Sequence, residues 1–396
     1  MMLKSAFWLS LALVLYVYVG YPVLIYLLSR LRPHPAPPAG EPAELPRVTV
    51  IIPAYNEECW IRRKIENTLA LDYPRNRLEI LVASDGSTDA TVAITGEFQS
   101  QGAEVRHFPE RKGKTALLNR VVPQARGEIV LLTDANALLA ADALRLLVEH
   151  FQDQQVACAT GLRLCSPTPS FATEGEGLYW RYESWIKQSE SRLHSCLGAQ
   201  GQILALRRAA FPPIPAIGDD FFIPMKIIIA TGARVVLEPR AKAWIPAAAT
   251  LGQEFERKVR SHVSLLCDLP YLKAGLNPMT SAIWWQFLSH HLLRLFVPLG
   301  MIAALVFSSF LWSEGLLYQV ALAGQGVFYA AALVGFSLER RALRGRVFYL
   351  PFYFCFANAA VLLAWRRWWQ RKAQFAWERT ERIPPSPEPS REIGSK

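Results

Sequence analysis

Cysteine is scarce in this chain and makes no pattern. The six residues, Cys59, Cys158, Cys165, Cys196, Cys267 and Cys355, contain no CxxC spacing. That excludes a thiolate metal site and a disulfide frame, and leaves reduced, buried thiols. Acids are also in deficit, 33 against 43 Lys and Arg, for a net charge of +10. The basic clusters sit beside apolar runs, as juxtamembrane anchors on anionic headgroups do, so the partner they imply is membrane lipid and not nucleic acid. No internal repeat is apparent.

Charge itself is missing from four long stretches: Phe7 to Leu28, Leu295 to Trp312, Leu316 to Leu338 and Val347 to Trp365. A spanning helix needs about 20 such residues. A buried core helix is the alternative, but core helices rarely stay uncharged for this length. The first run is too long for a signal-peptide core, and no small-x-small cleavage site follows it. Arg30, Arg32 and the Pro-rich stretch Pro33 to Pro46 follow instead. Positive charge after the span puts that side in the cytoplasm, and with it residues from about 47 to 280. The basic loop Glu339 to Arg346 fits the same side if the second and third runs form a hairpin. A fourth crossing would put Arg366 to Lys372 outside, against the charge bias; a re-entrant fourth run and an exception to the bias are the two readings. Trp284, Trp285, His290, His291 and Arg294 read as an interfacial belt before the second run. The expected organisation is an N-terminal transmembrane helix (1–32), a linker (33–46), a cytoplasmic domain (47–275), an interfacial segment with about three C-terminal transmembrane helices (276–373) and a disordered tail (374–396).

From residue 47 the pattern alternates. "VTVIIP" (Val48 to Pro53), "LEILVAS" (Leu78 to Ser84), "EVRHF" and Ile129 to Thr133 read as strands. Glu57 to Ala70, Thr88 to Gln101 and Lys114 to Ala125 read as helices between them. Such alternation implies βαβ units around a parallel sheet, with ligands beyond the carboxyl ends of the strands. Those ends carry "AYNEE", "DGSTD", "PERKGK" and "TDAN". Acids at three strand ends with a lysine nearby suit a nucleotide diphosphate and a divalent metal, because carboxylates take bonds from base and ribose and a metal bridges acid to phosphate. Each piece alone has a plainer reading. "DGS" is a common turn, Asp134 can cap a helix, Glu57 can favour a helix N-terminus, and a lone Lys114 is usually a surface residue. Their combination at successive strand ends carries the functional reading.

"VIIPAYNEE", "ILVASDGSTDAT", "KGKTALLN" and "LLTDAN", in this order, resemble family 2 glycosyltransferases. The resemblance continues through "GAQGQILALR", "GDDFFIPMKI" and "EFERKVR", covering roughly residues 47–275. It implies an α/β GT-A (Rossmann-like, nucleotide-diphospho-sugar transferase) domain flanked by transmembrane helices. On that resemblance Pro53, Tyr55, Glu57 and Asp85 contact the nucleotide-sugar, and Lys114 lies near its diphosphate. Asp134 and Asn136 occupy the DxD position that holds Mg²⁺ or Mn²⁺, with Asn136 an uncharged departure. Gly198 and Gln200 fall at the acceptor. The acid pair Asp219 and Asp220 holds the base that takes the acceptor's proton, with Asp220 preferred. The plainer reading is that the pair caps the following helix. Arg257, Lys258 and Arg260 lie where processive relatives carry a QxxRW motif and would bind the leaving diphosphate; the tryptophan is absent, which counts against polymer extrusion. Leu178, Tyr179, Tyr182, Trp185 and Ile186 mark an amphipathic helix. That helix packs on the sheet, or it forms an acceptor wall or a membrane-facing surface.

The expectation is a membrane-anchored inverting transferase of a UDP-sugar, on the inner membrane of a bacterium, serving a glycan or lipid acceptor in cell-surface polysaccharide or glycolipid synthesis. The rivals are a transferase adding one sugar to a lipid and a catalytically silent GT-A partner in an export complex.

Overall fold

A computed structural model of the chain describes residues 1–32, 44–165, 171–215, 218–246, 250–340 and 346–370. The linker up to residue 43, the centre of the basic loop and the tail lie outside them. Along the chain come α1 (Met2–Leu31), β1 (Val48–Ala54), α2 (Glu58–Leu69), β2 (Leu78–Asp85), α3 (Thr91–Gly96), β3 (Ala103–Phe108), α4 (Lys114–Val121) and β4 (Ile129–Leu132). Then follow β5 (Leu138–Leu139), α5 (Ala143–Glu149), β6 (Val156–Cys165), α6 (Phe171–Leu193), β7 (Leu204–Arg207), α7 (Phe222–Thr231) and β8 (Arg234–Ile245). The last four helices are α8 (Leu251–Leu272), α9 (Trp284–Phe310), α10 (Leu316–Arg340) and α11 (Arg346–Trp369).

All seven residues of β1 are buried, as a strand covered on both faces requires. Its side chains alternate: Val48, Val50 and Ile52 enter one core with Ile61 and Ile65 of α2, and Ile51 enters the other with Leu117 and Leu118 of α4. The strand order is β3-β2-β1-β4-β7-β6-β8-β5. The expected parallel sheet holds only in part. β3, β2, β1 and β4 run parallel, whereas β7 is antiparallel to both β4 and β6, and β5 is antiparallel to β8. After Asn136 the chain makes this short strand before any helix, since Leu138 and Leu139 pair with Trp244 and Ala243. The chain leaves β1 toward β2 on one side and reaches β4 on the other. The crevice at this switch point is where open α/β sheets take ligands, and both Tyr55 and Asp134 exit there.

Four helices, Met2–Leu31, Trp284–Phe310, Leu316–Glu339 and Val347–Trp369, are long and apolar enough to cross a membrane. α1 contains a π-helical turn, Tyr16–Gly20. There Tyr16 accepts a bond from Trp285 Nε1 at 2.8 Å and meets Ser289 Oγ at 2.7 Å. The belt reading of this segment is corrected. His290 is buried between Glu183 and Glu190 of α6, at 3.3 and 2.7 Å, so the segment docks on α6 through charged groups. The fourth apolar run lies along α8. Phe356 packs on Phe255 at 5.1 Å, Ala360, Val361 and Ala364 share a core with Val259, Val263 and Leu266, and Arg367 pairs with Glu256 at 2.7 Å.

Candidate active site

The β1–α2 turn and the β2–α3 turn are laced together. The N–H of Asn56 donates to Ser87 Oγ at 3.1 Å, that of Glu57 to Thr91 Oγ1 at 2.8 Å, and that of Glu58 to Asp89 Oδ2 at 3.1 Å. Asn56 holds a left-handed φ of 52°, which the small polar side chain tolerates. "DGSTD" is therefore a turn, but one that fixes the exit of β1. Asp85 is buried and accepts the backbone N–H groups of Lys112 and Gly113 at 2.9 and 2.8 Å. Gly113 takes φ 90°, a region that favours glycine, and α4 starts at the next residue. Asp85 thus sets the loop that delivers Lys114. Tyr55 lies under the Arg111 guanidinium, 3.9 Å from ring centre to Cζ.

Lys114 is the hub. Its ammonium donates to Asp134 Oδ1 at 2.8 Å and reaches Asp219 Oδ2 at 2.8 Å. Burial opposes its charge, but Asp134 and Asp219 overcome that and raise its pKa. Gln202 Nε2 donates to the other oxygen of Asp134 at 3.0 Å. From behind, the fully buried Lys64 of α2 donates to Thr133 Oγ1 at 2.8 Å and to the Ala137 carbonyl at 2.5 Å. Burial pulls the Lys64 pKa down to about 7, with Asp134 opposing. Asn67 clasps both backbone groups of Leu139, at 2.9 and 2.8 Å. α2 therefore clamps the whole loop that carries Asp134 and Asn136.

The acid pair does not cap α7, which has no side-chain cap bond. Instead the Asp220 carbonyl accepts the Ala199 N–H at 2.9 Å, tying the pair to the loop of Gly198 and Gln200. Asp220 is exposed, its side chain opening into a cavity of about 380 Å³. Burial and Asp219 push its carboxyl up to about 6, while Lys114 and Lys187 pull it down. Gly218 sits against α8, where a Cβ would lie 2.2 Å from Ser264 Oγ and 2.9 Å from Asp268 Oδ2. Asp268 is fully buried, and burial and Asp220 raise its carboxyl to about 8.

The same cavity is lined by Lys114, Asp134, Gly198, Gln200, Asp219 and Asp220, and by Arg257, Lys258 and Arg260. Pro53, Tyr55, Glu57, Asp85 and Asn136 are not among its lining residues. They belong to the neighbouring β1, β2 and β4 exits. The basic residues of α8 are closely partnered. Arg257 bonds Glu254, with Nε at 2.8 Å, and Lys258 lies over Tyr179 at 4.0 Å. The tryptophan in the cavity comes from α6: Trp180 carries the Arg163 guanidinium at 4.0 Å. Sequence reasoning did not single out Lys64, Arg163, Lys187, Gln202 or Asp268, each isolated in its own stretch.

The residues fit a hard divalent cation in part. Asp134 and Asn136 supply oxygens, and Asn136 Oδ1 is buried with no hydrogen-bond partner among the described residues. Those residues contain no cluster of three or more His, Cys, Asp or Glu side chains suited to a metal ion, so other ligands must come from a phosphate-bearing substrate or from water.

Residues 49–212 match the family model described as Glycosyl transferase family 2. The chain is 30% identical over 171 residues to a beta-monoglucosyldiacylglycerol synthase of Nostoc sp., covering 42% of this chain and 36% of that protein. It is 25% identical over 259 residues to the poly-beta-1,6-N-acetyl-D-glucosamine synthase of Staphylococcus aureus, covering 62% of each. It thus spans about a third of the first relative and under two thirds of the second. A mannosyltransferase from Pyrobaculum calidifontis, solved with GDP-Man and Mn²⁺, shares the fold, with a TM-score of 0.70 and 24% identity over 93% of this chain and 99% of that one.

Proposed function

We propose that the chain is a glycosyltransferase that transfers a sugar from a UDP-sugar to a membrane-borne acceptor with inversion; the match of residues 49–212 to the family 2 model and the shared GT-A fold support this reading. The observation that carries this reading is one cavity joining Asp220, the Lys114–Asp134 pair and three residues of an apolar helix, His291, Arg294 and Leu295 of α9. In it, Asp220 takes the proton from the acceptor hydroxyl as that oxygen bonds to the anomeric carbon. The bond from that carbon to the diphosphate breaks on the opposite side. Lys114, Arg257, Lys258 and Arg260 offset the charge that builds on the leaving diphosphate. Mg²⁺ or Mn²⁺, held by Asp134 and Asn136, would supply further charge neutralisation. Pro53, Tyr55, Glu57 and Asp85 shape the nucleotide end, and Gly198 and Gln200 face the acceptor.

A lipid acceptor receiving a single sugar is favoured over a growing polymer by the α9 lining. Placement in the membrane follows the charge bias of the sequence. α1, α9 and α10 cross, while α11 stays along α8 on the catalytic side.

The test is UDP release by the detergent-purified chain across a panel of UDP-sugars with Mg²⁺ or Mn²⁺, supplied with native membrane lipid. Release with one donor, lost in Asp220→Asn, supports the reading. Release unchanged in that variant moves the base to Asp219. No release with any donor favours the silent-partner alternative.

A further inference from the structure

Among the described residues, the Arg294 guanidinium is anchored through Nη1. Nη1 donates to Glu183 Oε1 at 2.6 Å. Nε and Nη2 are buried with no hydrogen-bond partner among the described residues. Those two N–H groups point the same way and form the side-on fork that matches two oxygens of a single oxyanion. His291, three residues earlier on α9, likewise has a buried Nε2 without a hydrogen-bond partner among them. Leaving such groups unmet in a protein interior is unfavourable, and most of all on a charged side chain.

Both residues line the active-site cavity. The His291 ring lies 4.6 Å from that of Phe221, the neighbour of Asp220. Lys187 lines the same cavity, and its charge acts on Asp220. Glu183 is met by Arg294 and by His290 at 3.3 Å, and Glu190 Oε1 by His290 at 2.7 Å and by the Tyr21 hydroxyl at 2.6 Å, while Glu190 Oε2 has no hydrogen-bond partner among the described residues. Around the guanidinium, Tyr18 lies 5.5 Å from Cζ, and the Tyr182 hydroxyl donates to the Tyr18 carbonyl at 2.8 Å. This frame fixes the guanidinium, which also acts on the Tyr182 hydroxyl, and leaves Nε and Nη2 without a hydrogen-bond partner in bonding geometry among the described residues. α9 is one of the apolar helices, and its Leu295, next to Arg294, lines the cavity too.

We infer that Arg294 and His291 form a subsite for the phosphate headgroup of a membrane-borne acceptor, with the guanidinium gripping two phosphate oxygens and the acyl or prenyl-like tail lying along α9. This rests on the glycosyltransferase reading above and names its acceptor class. The diphosphate of the donor is assigned to other cations, on α4 and α8.

The test uses the full chain in a non-ionic maltoside detergent, titrated with dodecyl phosphate and read by intrinsic tryptophan fluorescence. Dodecyl glucoside and inorganic phosphate are titrated separately, and UDP binding is measured on the same samples. The expected result is binding of dodecyl phosphate at least about tenfold tighter than of either comparison ligand, and about tenfold weaker in Arg294→Lys, which keeps the charge but loses the fork. If Arg294→Lys does not fold, the charge-neutral double variant Arg294→Met with Glu183→Gln takes its place. Equal binding of dodecyl glucoside overturns the phosphate. Equal binding of inorganic phosphate overturns the membrane-borne source. Unchanged affinity in the variant overturns Arg294. UDP binding without dodecyl phosphate binding sinks this inference alone, whereas a wild type that binds no UDP sinks the donor reading beneath it.

Discussion

Asp220 shows how a carboxylate is brought near neutrality without being sealed from its substrate. Desolvation by the surrounding cavity walls and the charge of Asp219 oppose ionisation, and Lys114 and Lys187 relieve part of that, leaving it at about 6. A base works only when ionised, so the sign is clear. kcat/KM should fall about tenfold per pH unit below 6 and level off above it. Asp220→Asn should lose about 10²- to 10⁴-fold in rate and flatten that acid limb. UDP release from pH 5 to 8 reads both effects, and an acid limb surviving in the variant would locate the base elsewhere. The Asn136 departure is also testable at this scale. Its oxygen is buried and lacks a hydrogen-bond partner among the described residues, so a carboxylate there adds charge where a cation would sit. Asn136→Asp should tighten Mn²⁺ binding by about an order of magnitude, read by the paramagnetic resonance of free Mn²⁺ with UDP present. Unchanged affinity would mean that this oxygen does not face the ion.

At the scale of elements, α8 does two jobs: it lines the cavity and it backs the loop of the acid pair. Ser264 and Asp268, one turn apart, press on Gly218, and Asp268 is raised to about 8. A carboxyl raised in the folded state lends its stability fully below the unfolded value, near 4, and that stability is lost as pH rises through about 8. Asp268→Asn should therefore melt higher than the wild type at pH 8 to 9, with the gap closing toward pH 5, by scanning calorimetry. A constant gap at every pH would show that Asp268 does not titrate in this range. The same helix marks the limit of sequence reading. β1 to β4, α2 and α4 were legible because continuous apolar strands and helical spacing are local signals. β5 was not, since two residues become a strand only by pairing with β8. Lys114, Asp134, Asp219 and Asp220 were legible through motif order. Lys64, Gln202 and Asp268 were not, because their roles come from partners 68 or more residues away or from a turn of α8 that reads as plain amphipathic helix.

At the scale of the whole molecule, packing supports the proposal that the fourth apolar run does not cross, which would spare the charge bias an exception. α11 begins beside the catalytic block, where Tyr349 and Tyr353 share a cluster with Tyr179 and Leu251. It ends there as well: Trp365 Nε1 donates to the Leu295 carbonyl at 3.0 Å, and Arg367 pairs with Glu256 at 2.7 Å. The opposite end of the bundle is marked by Lys4 and Glu314, 2.7 Å apart, beside the turn at Gly315 between α9 and α10. A helix with both ends against one block does not need to expose its basic terminus across the membrane. Single cysteines at Gly315 and at Trp369, which is 81% exposed, report the two sides in a background freed of the native thiols. In sealed right-side-out vesicles a membrane-impermeant maleimide should label Gly315→Cys and spare Trp369→Cys until detergent is added. Labelling of both before detergent would mean that α11 crosses after all, and would detach Arg367 from Glu256 and the cavity wall that α11 supports.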